Sequence, residues 1–236
     1  MMKQFLTLFL TLVIVYSYAQ SSTFNSLLQK HVDANGNVDY KALKANESQL
    51  DNYLSYLNKT SPDKTWSADK EKAFWINAYN AYTIKIILDN YPLKSITNIK
   101  KGGKTVWKYD FAKVSGKTYT LDHIEHEILR KKFKDPRIHV GVNCASGSCP
   151  KLANVAFTED NIELELERLM KEFINDPTKN KLTKKKVQIS EIFNWFKGDF
   201  TANGSVIDYI NKYADTPVNK KAKIKYLPYD WSLNGK

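Results

Sequence analysis

Apolar residues recur through most of the chain with the spacing of a helix. The clearest pattern starts after Ser67, a suitable N-cap, and continues from Ala68 to about Asn90, where Tyr91-Pro92 ends it. Apolar residues occupy most faces of this segment, which predicts a central, buried helix. Shorter patterns predict helices from Ser22 or Thr23 to about 31 and at 47–57, 121–131, 159–174, 191–196 and 205–213.

Alternating apolar and polar residues are less frequent and predict a small sheet. Segments 109–114 and 117–120, joined by Ser115-Gly116, predict a β-hairpin that runs directly into the helix at 121–131. Helices outnumber strands and do not alternate regularly with them, so we predict an α+β fold: one compact, helix-rich domain with a small, mainly antiparallel sheet. Further short strands are expected at 137–142, 185–189 and 223–227.

The N-terminus has the pattern of a secretory signal peptide. Lys3 precedes an apolar run from Phe5 to Tyr16, and small residues follow up to Ala19. We expect residues 1–19 to be removed, leaving 20–236 as a single globular domain in the periplasm or outside the cell. No second long apolar segment follows, so the mature protein is expected to lack a transmembrane segment.

The chain is basic, and the distribution of its charges narrows the choice of partner. It has 236 residues, a formal net charge of +11 and two cysteines, which excludes a disulfide-dense scaffold. Only Arg130, Arg137 and Arg168 are arginines, which argues against nucleic-acid recognition. The dense lysine runs at 184–186 and 220–225 predict either solvated faces or a surface for an anionic partner such as lipid headgroups or a cell-wall polymer.

Some polar side chains occupy positions that the apolar pattern assigns to the core. Asn77 and Asn80 share a face of the buried helix, where they are either satisfied structural amides or one of them stabilises an oxyanion. After the hairpin, Glu125 projects close to the centre of an apolar helical stripe. It is predicted either to form an ion pair with Arg130 or Arg137 or to have a perturbed pKa suited to proton transfer.

Both cysteines lie in or beside a tight turn, and three roles are compatible with their positions. Cys144 and Cys149 are close enough for a small-loop disulfide in an oxidising compartment. One of them is equally suited to act as a thiolate nucleophile assisted by His126 or His139. Zinc held by these four residues is a third alternative, although the spacing of the cysteines is long for zinc. No other cofactor is expected.

Short motifs are spread over the chain from Val32 to Asn234, and together they are more specific than any one alone. They comprise residues 74–80, 124–130, 135–139, Asn143-Cys144 with 148–150, 190–196 with Asp199-Phe200, and 226–234. In combination these motifs resemble the DUF547 domain family. The family name records no established activity, so the resemblance supplies no mechanism.

The resemblance to this family weakens the prediction of a disulfide and strengthens the prediction of a functional site. The family is similar to domains in plant intracellular proteins as well, so an oxidising compartment cannot be the only reason for the two cysteines, and an obligatory disulfide becomes less attractive. The polar residues shared with the family motif are also more numerous than a core requires. They are Asn77, Asn80, Glu125, His126, Arg130, Arg137, His139, Asn143, Cys144, Ser148 and Cys149.

We therefore predict a cysteine-dependent site of hydrolase or acyltransferase type, acting on an unknown small-molecule, peptide or cell-envelope substrate. The alternatives are a binding module whose cysteine loop is closed by a disulfide, and a zinc-stabilised domain. The catalytic residues, in the order nucleophile, base, orienting group and oxyanion helper, are Cys149 or Cys144, His126 or His139, Glu125 and Asn77. The binding residues expected around them are Asn80, Arg130, Arg137, Asn143 and Ser148.

Overall fold

The computed structural model of the chain describes residues 22–236. The predicted signal peptide at 1–19 lies outside the described residues. Within the described part, none of the helices combines the length and the apolar character that a membrane span requires.

Helices make up most of the regular structure, as the pattern predicts. A π-helix, His123–Arg130, leads directly into a short α-helix, and 3₁₀ turns lie at Ile96–Asn98 and Val106–Lys108. The α-helices are α1 (22–31), α2 (Tyr40–Ala45), α3 (Glu47–Lys59), α4 (Ala68–Asp89), α5 (Lys131–Phe133), α6 (Ile138–Gly141), α7 (Ile162–Asn175), α8 (Ile192–Trp195), α9 (Lys197–Phe200) and α10 (Val206–Ile210).

The strands are short and form three small sheets, so the predicted α+β class is confirmed. The hairpin is confirmed, with its turn at Ser115 and Gly116 in the positive-φ region. Strands β5 and β6 pair antiparallel, whereas β6 and β7 pair parallel. The strands are β1 (Lys100–Lys101), β2 (Lys104–Thr105), β3 (Ala112–Val114), β4 (Lys117–Tyr119), β5 (Lys181–Leu182), β6 (Lys186–Ile189) and β7 (Lys223–Tyr226).

Helix α4 is the central element of the core, as its apolar faces predict. The Ser67 side chain accepts a hydrogen bond from Lys70 N and caps the helix at its first turn. Helices α2, α3 and α7 and the π-helix all pack against it. Buried apolar residues from Phe24 to Val218 belong to one cluster, so segments distant in sequence share a single core.

The strand predicted at 137–142 is wrong, because this segment contains helix α6. The Asp135 side chain accepts a hydrogen bond from Arg137 N at 3.0 Å and favours a helical turn at that point. Gly141 then allows α6 to lie close to its neighbours, since a Cβ there would stand 2.9 Å from Leu166 and 3.0 Å from Ile76. A short run of β-branched residues does not distinguish a buried strand from a buried helical turn.

Candidate functional site

The predicted site residues meet at a cleft of about 160 Å³ between the π-helix, the cysteine loop 143–150 and the C-terminal segment. Its lining includes five residues that the sequence singled out and several aromatic side chains that it did not. Acid, imidazole and sulfur groups from separate segments therefore converge on one solvent-connected space. The five are Glu125, His126, His139, Cys144 and Cys149.

Two buried asparagines shape the cysteine loop. Asn80 donates a hydrogen bond to Gly141 O at 2.8 Å and accepts one from Asn143 N at 2.8 Å. Asn143 in turn donates to Pro150 O and accepts from Ala145 N, whose residue adopts a positive φ of 56°. Since each amide satisfies backbone groups of the loop, both residues position the site and neither lines the cleft wall around the thiols.

The C-terminal segment fastens the loop from the other side. Gly147 N donates to Ser232 O at 2.7 Å, and Ser148 N donates to Asp230 O at 3.0 Å. Asp230 N returns a hydrogen bond to Ser148 Oγ at 2.8 Å. A side chain at Gly147 would stand 2.7 Å from the Asp230 carboxylate, so glycine permits this close approach. These bonds bring Tyr229 against the cysteines.

Cys144 is partly exposed to the cleft and surrounded by hydrogen-bonding groups. Its Sγ lies 3.1 Å from Ser146 Oγ and 3.2 Å from Tyr229 OH. A hydrogen bond from the Cys149 thiol, together with those from Ser146 and Tyr229, lowers the pKa of Cys144 to about 7. A thiol in this environment is substantially ionised near neutral pH.

Cys149 is the buried member of the pair, with 5% of its surface exposed. Its Sγ accepts a hydrogen bond from Cys144 N at 3.1 Å, and burial holds its pKa well above the usual value. Both cysteines are free thiols in the structure. The loop thus takes its shape without the disulfide that the binding-module alternative requires.

Glu125 is a buried carboxyl group, as its position on the apolar stripe predicts. Only 8% of the residue is exposed, and burial together with the negative charge of the nearby Cys144 raises its pKa to about 7. The ion-pair alternative is not what forms: Arg130 bonds Asp199 through Nε at 2.7 Å and through a second nitrogen at 3.0 Å. Glu125 is therefore without a direct cationic partner among the ion pairs of the described residues.

His139 connects Glu125 to Asp199. Its Nε2 lies 2.7 Å from Asp199 Oδ2, and its Nδ1 lies 3.9 Å from Glu125 Oε1. Burial lowers the pKa of His139, whereas the bonds to His139 and Arg130 hold the pKa of Asp199 well below its usual range. A neutral His139 therefore donates from Nε2 to the Asp199 carboxylate, which leaves Nδ1 as an acceptor facing Glu125.

His126 lies at the mouth of the cleft, with 36% of its side chain exposed. Arg130 approaches its Nδ1 at 3.2 Å, and a guanidinium can only donate, so the proton of the neutral ring is on Nε2. Nε2 lies 3.9 Å from Asp122. Burial lowers the pKa of His126, so the ring is mostly neutral at pH 7.

Asn77 and Arg137 are two further predicted residues that do not line the cleft. The Asn77 side chain pairs with the backbone of Phe157, donating at 2.7 Å and accepting at 3.0 Å, so the structure supports its structural alternative and not the oxyanion role. Arg137 lies in a separate charge cluster with Asp135 and Glu163. The Asn77 amide and the Arg137 guanidinium each form their hydrogen bonds away from the cleft.

Asp199, Tyr79 and Tyr229 are the site residues that sequence reasoning missed. Asp199 falls inside a motif shared with the family but follows Arg130 by 69 positions, so no local spacing linked the two. Tyr79 belongs to the buried stripe of α4, and its phenol is indistinguishable there from ordinary core packing. All three residues lie within motifs that resemble the family, and this was the only signal that they carried.

Four rings form an aromatic wall on one side of the cleft. Trp195 packs on Tyr229 with centroids 4.7 Å apart and on Trp231 at 5.9 Å, and Trp107 contacts Trp231 at 5.6 Å. Trp195 is 46% exposed, which is unusual for a large apolar side chain. The cleft therefore combines a reactive polar floor with an apolar, partly exposed wall.

Among residues 22–236, no group of three or more His, Cys, Asp or Glu side chains has an arrangement suited to a metal ion. The four residues of the zinc alternative do not form such a group there. His139 directs both ring nitrogens at carboxylates, as described above.

Comparison with known proteins gives a family and no activity. Residues 64–174 match the model of a family described as "Protein of unknown function, DUF547". The matched segment contains α4, the π-helix and the cysteine loop, whereas Asp199 and three of the four rings of the aromatic wall lie beyond it. Neither a curated protein nor a solved structure matches the chain. The match therefore identifies a DUF547 domain at residues 64–174 of the chain.

Proposed function

We propose that the cleft is a thiol-dependent acyl-transfer site, of hydrolase or acyltransferase type, in an exported protein. The observation that carries this proposal is the surroundings of Cys144. Cys144 lines the cleft and is partly exposed, and its Sγ lies 3.1 Å from the Ser146 hydroxyl and 3.2 Å from the Tyr229 hydroxyl. Hydroxyl donors on a sulfur stabilise a thiolate, which is the nucleophilic form.

Cys144 is the better nucleophile of the two cysteines. It is partly exposed, and its pKa is lowered to about 7, so ionisation and access coincide. Cys149 is buried, and its pKa is raised, so it remains a thiol and donates to its neighbour. In the proposal Cys149 is a positioning residue that supports the Cys144 thiolate.

Glu125 is the proposed proton donor and acceptor. Its pKa of about 7 matches the working range of a general acid–base group, and it is coupled electrostatically to Cys144. One negative charge on Cys144 favours a protonated Glu125, because two adjacent anions repel in a buried site. The resting pair is therefore a thiolate beside a neutral carboxylic acid.

The reaction then balances in two steps. The Cys144 thiolate forms a bond to the acyl carbonyl carbon, and the leaving group departs with the proton of Glu125. Water, or an alcohol or amine acceptor, next attacks the thioester while Glu125 takes its proton. The second step releases the acyl product and restores the thiolate and the protonated acid.

His139 and Asp199 act through Glu125 in this scheme. The bond from His139 Nε2 to Asp199 at 2.7 Å sets the ring tautomer, and Nδ1 faces Glu125. Phe196 stacks on the imidazole with centroids 4.0 Å apart and restricts its orientation. The orienting and base roles expected for Glu125 and His139 are thus exchanged, and both histidine and aspartate are positioning residues.

Intact-mass measurement after incubation with a panel of activated p-nitrophenyl acyl esters tests the proposal. We expect one acyl adduct on Cys144 and turnover that falls about 1,000-fold or more in Cys144→Ala. Cys149→Ala is the matched control and should keep the adduct. No adduct with any ester, or an adduct that persists in Cys144→Ala, would overturn the assignment.

The aromatic wall favours a second candidate, a non-catalytic binding cleft. Large, partly exposed rings such as Trp195 are common anchors for ligands. Under this candidate, Cys144→Ala leaves ligand-induced Trp fluorescence changes intact and no thioester forms. Trp195→Phe would abolish the fluorescence change instead.

A further inference from the structure

Two segments near the C-terminus are rich in lysine and contain no acidic residue. Residues 177–190 and 216–229 each lie between acidic residues and have none within them. Such an excess of one charge in two separate segments is unusual in a chain with 25 acidic residues. Their lysines are Lys179, Lys181, Lys184, Lys185, Lys186, Lys220, Lys221, Lys223 and Lys225.

The sheet of β5, β6 and β7 brings these segments together on one face. In register, Lys186 lies opposite Lys223, and Gln188 lies between Lys181 and Lys225. The alternate residues Val187 and Ile189 are fully buried on the opposite face. Alternation of side chains in strands therefore places the lysines on the solvent side, here called the lysine face: Lys181, Lys186, Lys223 and Lys225 with the turn residues Lys184, Lys185, Lys220 and Lys221.

The lysine face is electrostatically unfavourable in the isolated protein. Like charges directly opposite each other on neighbouring strands destabilise a sheet, as at Lys186 and Lys223. Within the described part of the chain, Lys220 is the member of the face that forms an ion pair, to Asp208 at 3.0 Å. The remaining charges are left for solvent or for an external anion.

The same sheet leads into the aromatic wall. Strands β6 and β7 are parallel, so their C-terminal ends lie at one edge of the sheet. Helix α8 follows β6 and ends at Trp195, and Tyr229 and Trp231 follow β7. The aromatic wall therefore draws three of its rings from the chain that follows the C-terminal edge of the sheet carrying the lysine face.

We propose that the lysine face binds the headgroups of an anionic lipid bilayer, with the aromatic wall at the lipid–water interface. Charge complementarity supplies the attraction, because each lysine near an anionic surface contributes to binding. The paired strands present their lysines together to a plane of headgroups, and tryptophan and tyrosine are enriched at membrane–water interfaces. The face carries lysines and not arginines. A lysine ammonium is a point charge suited to general attraction toward an anionic surface, whereas the arginine fork suits bidentate recognition of a single carboxylate or phosphate group. The proposal does not depend on catalysis by Cys144.

Flotation with lipid vesicles tests this directly. The full chain is incubated with phosphatidylcholine–phosphatidylglycerol vesicles and with pure phosphatidylcholine vesicles, at about 0.1 M salt and about 1 M salt. We expect binding to the anionic vesicles at low salt alone, accompanied by a blue shift of Trp emission that is lost in Trp195→Phe. No binding to anionic vesicles, or equal binding to neutral ones, would overturn the proposal.

Two variants that remove the same number of charges locate the surface. Lys184→Gln/Lys186→Gln/Lys223→Gln should weaken vesicle binding about 100-fold without lowering the melting temperature, because all three side chains are exposed and the repulsion between Lys186 and Lys223 is removed. The control Lys100→Gln/Lys101→Gln/Lys104→Gln on β1 and β2 should weaken it less than about 10-fold. Equal weakening by both variants would indicate net charge without a docking face. Binding to a soluble sulfated polysaccharide but not to vesicles would assign the face to a polyanion and reject the bilayer.

Discussion

Two charge groups in this protein, one half-buried and one buried, have opposite electrostatics. In the first, Lys72 and Arg137 surround Asp135 and Glu163, with Arg137 bonding Asp135 at 2.8 Å and Glu163 at 2.7 Å. Partial desolvation raises the pKa of both carboxyl groups, but hydrogen bonds from these cations outweigh it and lower both pKa values. In the cleft, Glu125 has no such partner, and its pKa is raised to about 7.

The comparison separates a stabilising cluster from a reactive one. Matched charges hold α4, α6 and α7 together and stay ionised over the whole neutral range. An unmatched carboxyl group beside a thiol changes its protonation near neutrality, which a stable core does not require. The sequence singled out Arg137 and Glu125 alike as site residues, and only their partners in the structure distinguish them.

Removal of Asp135 should have the largest effect on stability. Asp135→Ala leaves Lys72 and Arg137 partly buried with one fewer counter-charge, which should lower the free energy of unfolding by about 4 kcal/mol. Urea denaturation measures this. The control Glu167→Ala removes an exposed partner of the same arginine and should cost less than about 1 kcal/mol. Equal losses of unfolding free energy in Asp135→Ala and Glu167→Ala would show that the charge cluster around Asp135 does not stabilise the fold.

Glu125→Gln should alter the pH dependence of stability. The folded pKa of about 7 lies above the ordinary value of 4.5, so the contribution of Glu125 is full below pH 4.5 and is lost as pH rises through 7. Relative to wild type, the variant should therefore gain about 3 kcal/mol of stability between pH 4 and pH 8. Urea midpoints across this range provide the measurement.

Glu127→Gln is the matched control, since Glu127 is an exposed neighbour on the π-helix whose pKa is lowered by Lys131. It should show no gain at high pH. A Glu125→Gln profile parallel to wild type would contradict the raised pKa and weaken the proposed acid–base role.

Asp199→Asn should lower the free energy of unfolding by about 2 kcal/mol. This effect is smaller than that of Asp135→Ala because the asparagine amide keeps one acceptor oxygen. The folded pKa of Asp199 is lowered from 3.8, so its contribution is full above pH 3.8 and is lost as pH falls through the folded pKa. Histidine NMR should also report a changed tautomer at His139. An unchanged His139 spectrum would show that Asp199 does not orient the ring.

Cys149→Ala should have the smallest effect, an upward shift in the pH midpoint of Cys144 alkylation. The thiol of Cys149 contributes most to lowering the pKa of Cys144, but Ser146 and Tyr229 remain in place. Iodoacetamide alkylation rates against pH measure the shift, and Cys149→Ser, which keeps a donor, should restore the wild-type midpoint. A downward shift would contradict the stabilising role of Cys149.

Local patterns predicted the larger elements well. Ser67 and the apolar run after it correctly placed α4, and Ser115-Gly116 correctly placed the turn of the hairpin, because capping and turn chemistry act within a few residues. The helix at 121–131 was predicted in position but not as a π-helix, whose wider hydrogen bonding has no simple residue signature. Helix α6 was missed because packing against α7 overrides its β-branched pattern.

Part of the site was predictable as well, because some of its residues are marked by local patterns in the sequence. Glu125 was placed in the core from helical periodicity alone, and Cys144, Cys149 and His139 were singled out by an unusual concentration of polar residues. Their roles were not predictable. Whether Glu125 meets Arg130 or His139 depends on Asp199, which captures the arginine from 69 residues away.

By itself the sequence determined the α+β class, the buried central helix, the inward carboxyl group and the family resemblance, because these depend on short-range periodicity and on motifs of adjacent residues. Only the tertiary structure decided which of the two cysteines is partly exposed, that Asn77 is a structural amide, and that two lysine-rich segments form one face. Burial, hydrogen-bond partners and pKa values arise from contacts between distant segments, and a linear pattern does not specify those contacts.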